Sequence, residues 1–170
     1  MAQRQPEQRL TMNPINQVKV QFRVDPSDQR GVETESLWAE GAGDGRFRIL
    51  NSPFFLFGVS ADDVVEAKEV GGVLMFQGVI SRGGHSTYRL FLQGGRTING
   101  ADFLGGWEPI SLLGATFENA NNHFVAVDIP PGRDVAAIYK LLDKGEQDGI
   151  WAFEEVYYGG NSGDRAEVTP

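Results

Sequence analysis

Cysteine is absent from the 170 residues, and histidine is reduced to His85 and His123. The first absence excludes disulfide scaffolds, thiol catalysis, Fe–S clusters and cysteine-bearing zinc sites. The second excludes a multi-histidine metal centre, so no metal or other cofactor is expected. No apolar run approaches the roughly 18 residues needed to cross a bilayer, and the first 16 residues are polar. No membrane role is expected, and the default location is a reducing cytoplasm. Cations are scarce as well: 15 Lys and Arg stand against 23 Asp and Glu, for a net charge of −8. Phosphate contacts need clustered Lys and Arg, which makes nucleic acid an unsuitable partner and a basic protein a suitable one.

What is present is the composition of a soluble globular chain, 41% hydrophobic with 22 glycines. A chain this long buries about 70% of its unfolded surface, enough to fold without staples. Residues 1–16 carry Pro6 and Pro14 among Gln and Arg, and residues 159–170 read GGNSGDRAEVTP. Both ends are expected to be disordered, a leader and a tail.

The intervening pattern divides at Gly83-Gly84, giving expected units at 17–84 and 85–158. In the first, Val18, Val20, Phe22 and Val24 alternate with polar residues at the period of a half-buried strand. Asp44-Gly45 and Gly71-Gly72 each separate two extended pieces, as tight hairpin turns do. Roughly five strands without a helical period predict a small β-barrel or strongly bent antiparallel sheet.

In the second unit HSTYRLFLQ reads as a strand with Tyr88, Leu90 and Leu92 on one side. Gly100, Gly105, Gly106 and Pro109 predict a broken or irregular helix between Thr97 and Leu113. Two strands follow, turning around Asn119 to Asn122, with Phe124 to Val127 too continuously apolar to define one buried side. Asp134 can cap a helix whose stripe is Val135, Ile138, Leu141 and Leu142, ending near Gly145 or Gly149. IWAFEEVYY is the last strand. The resulting order is β-α-β-β-α-β, the ferredoxin-like arrangement, and the fold class is α+β.

Three local features bear on function. Arg82-Gly83-Gly84-His85-Ser86-Thr87 offers a cation, two glycines, an imidazole and hydroxyls at the junction. Backbone N–H groups around such glycines can form an anion-binding concavity, so Arg82, His85 and Ser86 are candidate ligand-binding residues. The same residues also suit a plain connection whose glycines serve turning. A Ser-His-Asp set could be drawn from Ser86, His85 or His123, and Asp63, but neighbours on a strand point to opposite faces and no G-x-S-x-G elbow occurs. No enzyme activity is expected. Asp62-Asp63 suits a turn ahead of the strand at Val64. The aromatic run Pro53-Phe54-Phe55-Leu56-Phe57, lacking basic surroundings, suits core packing or a partner patch better than base stacking.

The third feature is charge asymmetry. Residues 1–85 carry a net −2 and residues 86–170 a net −6. Such a field speeds the capture of a basic protein by about 10- to 1000-fold at low salt. Glu118, Asp148, Glu154 and Glu155 are candidate partner-binding residues.

The motifs VKVQFRV, ESLWAE, NSPFF, DVVEA and GGHSTYR, in that order, resemble the bacterial domain-of-unknown-function family 4265, with the resemblance running from about Val18 to Tyr158. It implies the same sequence of elements in the second half and no particular activity. The expected function is therefore that of a non-enzymatic acidic binding protein, of the immunity type that neutralises a basic toxin. The alternative is a regulatory or sensory module that binds an anionic small molecule at the junction of the two halves.

Overall fold

The computed structural model describes residues 16–27 and 31–160. The leader expected at 1–16 and the tail expected at 159–170 lie almost wholly outside the described residues. The chain is an α+β protein, mostly antiparallel sheet with two helices.

Five strands come first: β1 (Gln17–Arg23), β2 (Thr34–Gly43), β3 (Arg46–Ile49), β4 (Val64–Val70) and β5 (Val73–Ser81). They follow one another as a meander and close into a barrel, and with an odd number of alternating strands the closing pair, β1 and β5, is parallel. Asp44 and Gly45 take φ angles of 54° and 72°, the left-handed geometry of the tight β2–β3 hairpin. Val20, Phe22, Leu37, Ala39, Ile49 and Val65 fill the interior. These are the inward halves of period-two patterns, and burying them is what holds the barrel closed.

The remaining elements are β6 (Ser86–Leu92), α1 (Ala101–Leu112), β7 (Thr116–Asn121), β8 (Phe124–Ile129), α2 (Val135–Gln147) and β9 (Trp151–Tyr157). The strands form a second sheet in the order β7-β8-β6-β9, antiparallel throughout. Both helices cover one face, where Tyr88, Leu90, Val125, Val127, Ile129 and Trp151 meet Phe103, Trp107, Ile110, Ile138 and Leu142. Asp134 caps α2 by accepting from the Ala137 N–H at 2.9 Å.

Helix α1 departs from the broken form expected of it and runs without interruption through Pro109. Phe103, Trp107 and Ile110, spaced i, i+4 and i+7, are buried in the core, and that burial outweighs weak local propensity. The carbonyl deprived of a donor by Pro109 is that of Gly105, which is exposed and open to water. The β7–β8 turn lies at Asn122-His123, slightly later than expected. Phe124 to Val127 are buried on both sides because the opposite face of the sheet is covered too. Its cover is the long segment between β3 and β4, residues 50–63.

Among the described residues no helix is long and apolar enough to cross a membrane.

Candidate functional site

Segment 50–63 leaves the barrel and lies on the helix-free face of the second sheet, so its own backbone polar groups must be satisfied there. Glu35, buried on β2, does much of this. Its carboxylate accepts the N–H groups of Phe54 (2.6 Å), Phe55 (2.9 Å) and Leu56 (3.1 Å). Three converging N–H groups form an anion nest, and the chain fills it with its own carboxylate. Phe54 and Phe55 then present ring edges to Phe124, at centroid distances of 5.6 and 5.8 Å, while Phe91 stacks on the same ring at 4.8 Å. The aromatic run is thus seam packing, with only Phe57 substantially exposed.

Polar residues of β6 and β9 complete the seam. Arg89 is buried; its guanidinium donates to the Leu56 carbonyl and to Glu154 Oε1 (3.3 Å) and lies 4.6 Å from the Phe57 ring centre. Thr87 Oγ1 donates to Ser60 Oγ at 2.8 Å. On a strand reading Tyr-Arg-Leu, the only sequence sign of this role is a cation placed between two core residues.

Arg82, His85 and Ser86 lie close in the chain, but each is directed to a different neighbour. Arg82 Nη1 donates to Asp63 Oδ2 (2.9 Å) and to the Gly58 carbonyl (2.6 Å), and its guanidinium sits 4.2 Å from the Tyr157 ring centre. Asp63 is fully buried and also accepts the N–H groups of Ser60 (3.0 Å) and Gly83 (3.0 Å). It closes the turn expected of it and, in addition, binds the junction from below. Gly83 is required there, since a Cβ would come within 2.5 Å of Asp62 Cβ. His85 lies between two carboxylates, Nδ1 at 2.8 Å from Asp128 and Nε2 at 3.1 Å from Asp62. Ser86 Oγ accepts the Gly159 N–H at 2.9 Å, facing away from the imidazole. Arg82 and His85 therefore tie the halves together, Ser86 fastens the chain after β9 to the start of β6, and the three do not converge on one anion.

Burial pushes the Asp128 carboxyl above the ordinary aspartate range; the hydrogen bond and charge of His85 oppose that shift, and Asp62 adds to it. Glu118 is raised as well, chiefly by desolvation of its carboxylate against the seam, opposed by the N–H of Ser52 and reinforced by the nearby Asp128.

The expected partner residues do not form one patch. Glu118 accepts from Ser52 N at 3.0 Å on the barrel side, and Glu154 holds Arg89 on that same side. Glu155, its neighbour on β9, points to the helices and accepts from Tyr88 OH at 3.0 Å. Asp148 ends α2 and pairs with Lys144 at 2.5 Å. Glu108 on α1 and Asp143 and Glu146 on α2 take part in no ion pair among the described residues, and Glu108 and Glu146 are exposed. Counting acids along the chain could not separate these from the structural ones; the helical positions could.

A cavity of about 550 Å³ opens below α2, lined by Gly84, Ser86, Pro131, Arg133, Tyr158 and Gly160 among others. Arg133 forms no ion pair among the described residues. No three His, Asp or Glu side chains among those residues are grouped to hold a metal ion.

A closed five-stranded barrel joined to a helix-covered antiparallel sheet defines the class of fold. Residues 35–153 match the family described as Domain of unknown function (DUF4265), and the chain belongs to that family. The match is narrower than the 18–158 suggested by the motifs, leaving out β1 and the end of β9. The fold is similar to that in the "Novel crystal structure of a hypothetical protein from Neisseria gonorrhoeae", with a TM-score of 0.68 over 86% of this chain and 96% of that one, at 20% identity. That likeness is one of fold. Among curated proteins nothing matches the sequence.

Proposed function

We propose that this is a non-enzymatic, cytoplasmic binding protein that offers an acidic helix layer to a basic protein, as an immunity-type neutraliser would. The carrying observation is how the second half uses its cations. Of the five cations described there, Arg89, Arg96 and Lys144 are each held by a carboxylate and Arg133 and Lys140 are in no ion pair, whereas the helices keep Glu108, Asp143 and Glu146 outside any ion pair among the described residues, and acids outnumber cations ten to five over residues 86–160. The field leaving that half is negative, which steers cationic partners and weakens with salt. The helices ride on what we read as a ferredoxin-like unit, a reading supported by the strand order and the uniformly antiparallel pairing.

The direct test is titration of the full chain with the basic proteins encoded beside its own gene, at low and high salt. The expected result is saturable binding that weakens as salt rises. Absence of binding to every one of them at low salt rejects the reading.

The cavity beside Ser86 and Arg133 favours a second reading, a module that binds an anionic small molecule at the junction. Here the cation is Arg133, since Arg82 and His85 are engaged elsewhere. A carboxylate or phosphate metabolite at 100 times its Kd would stabilise the fold by about 2.7 kcal/mol. No melting shift across such a panel, or a shift indifferent to Arg133→Ala, eliminates it.

A further inference from the structure

Helix α1 is apolar on more than its buried side. Leu104 and Leu112 are 52% and 81% exposed, and Glu108, also exposed, lies midway between them at i+4. At 100° per residue the three form one stripe about 80° wide on the solvent side, turned away from Phe103 and Ile110, with Trp107 about 60° from Leu104. Ala101 and Gly105 flank the stripe, and nothing stands within 4 Å of where a Gly105 Cβ would be, so another backbone can approach closely. The helix carries Asp102 and Glu108 and no cation; Asp102 is held by Arg96 at 2.8 Å, leaving Glu108 as the charge at the centre.

Charge selects the occupant. A second copy packed symmetrically with both leucines buried must meet this stripe either antiparallel, Leu104 on Leu112, or parallel, each on itself. In both arrangements Glu108 falls opposite Glu108, two carboxylates brought together as apolar surface closes around them. A cation at that point turns the same geometry from repulsive to attractive. We infer that the outer stripe of α1 is the docking surface for a cationic amphipathic helix of a partner protein, one whose Lys or Arg is flanked four residues away on each side by apolar side chains. This rests on the basic-partner reading and specifies where and how that partner is held. The leucines supply the buried area, and the Glu108 pairing sets orientation and rejects self-association.

The probe is a fluorescein-labelled 18-residue helix of Leu and Lys in that spacing, titrated by anisotropy against the full chain. The same peptide with Glu for Lys is the control. Tight binding of the Lys peptide only is expected, weakened about tenfold or more by Glu108→Lys and by Leu112→Ser, a loss near 1.4 kcal/mol for each factor of ten. Glu69→Lys changes net charge by the same amount on the barrel strand β4 and should alter affinity less than about threefold. Melting temperatures should stay unchanged, because the altered side chains are exposed. If Glu69→Lys weakens binding as much as Glu108→Lys, or Leu112→Ser has no effect, docking on α1 is overturned while a basic partner elsewhere stands. Failure of the peptide to bind also overturns it; the titration with neighbour-encoded proteins then decides the broader reading separately. A dimer in light scattering that dissociates on Leu112→Lys would show a second copy on this face and overturn it as well.

Discussion

The two faces of the four-stranded sheet solve burial differently. Toward the helices, Tyr88, Leu90, Val125, Val127 and Trp151 present an almost wholly apolar surface, where volume and shape decide stability. Toward the barrel, Thr87, Arg89, Asp128 and Glu154 share the surface with Phe91 and Phe124, and partners are fixed by direction: a guanidinium on a carbonyl, an imidazole between carboxylates. The apolar face is held by interlocking shape, Gly145 leaving the room Trp151 occupies, whereas the polar seam is held by the direction of its hydrogen bonds. The seam sets how the barrel sits on the sheet, and the helix face contributes apolar burial.

Neighbouring residues on β6 test that contrast most strongly. Arg89→Met should lose about 3–5 kcal/mol in denaturant unfolding, because Glu154 and the Leu56 carbonyl lose a buried guanidinium. The double change Arg89→Met with Glu154→Leu should recover much of the loss. A neutral Arg89→Met would break the comparison. Next, Glu35→Gln should cost about 1–3 kcal/mol, since an amide oxygen cannot serve all three N–H groups as a carboxylate does. Amide exchange should quicken at Phe54, Phe55 and Leu56 in particular. On the apolar face, Leu90→Met conserves volume and should cost less than about 1.5 kcal/mol.

The smallest effect is one of pH. A carboxyl whose folded-state pKa lies above its unfolded value favours the native state at low pH, and that contribution is lost as pH rises through the folded value. Glu118 is such a group. Glu118→Gln should therefore melt slightly higher than the parent near pH 7, with the difference vanishing below about pH 4. A variant less stable at neutral pH would show that the charged bond to Ser52 outweighs desolvation.

Much of the architecture was legible because it rests on local rules. Val18 to Val24 alternate, Asp44-Gly45 turns, and Asp134 caps, each readable within a few residues. Helix α1 was misread because Gly105, Gly106 and Pro109 are penalised locally, whereas the burial of Phe103, Trp107 and Ile110 that outweighs them is a tertiary fact. The junction was located but its chemistry was not. Arg82, His85 and Ser86 look available in a linear reading; their partners Asp63, Asp62, Asp128 and Gly159 arrive from as far as 73 residues away. Glu35 gave no sign at all, since a strand acid nineteen to twenty-one residues before its donors has no local signature.

Amide hydrogen exchange of the full chain, free and saturated with the Leu/Lys helix, tests the central claim most directly. If the helix layer is the working face, protection on binding concentrates in α1 and its surroundings, and the barrel strands β1 to β5 remain unchanged. Protection confined to the barrel, or to the segments around Ser86 and Arg133, would contradict it.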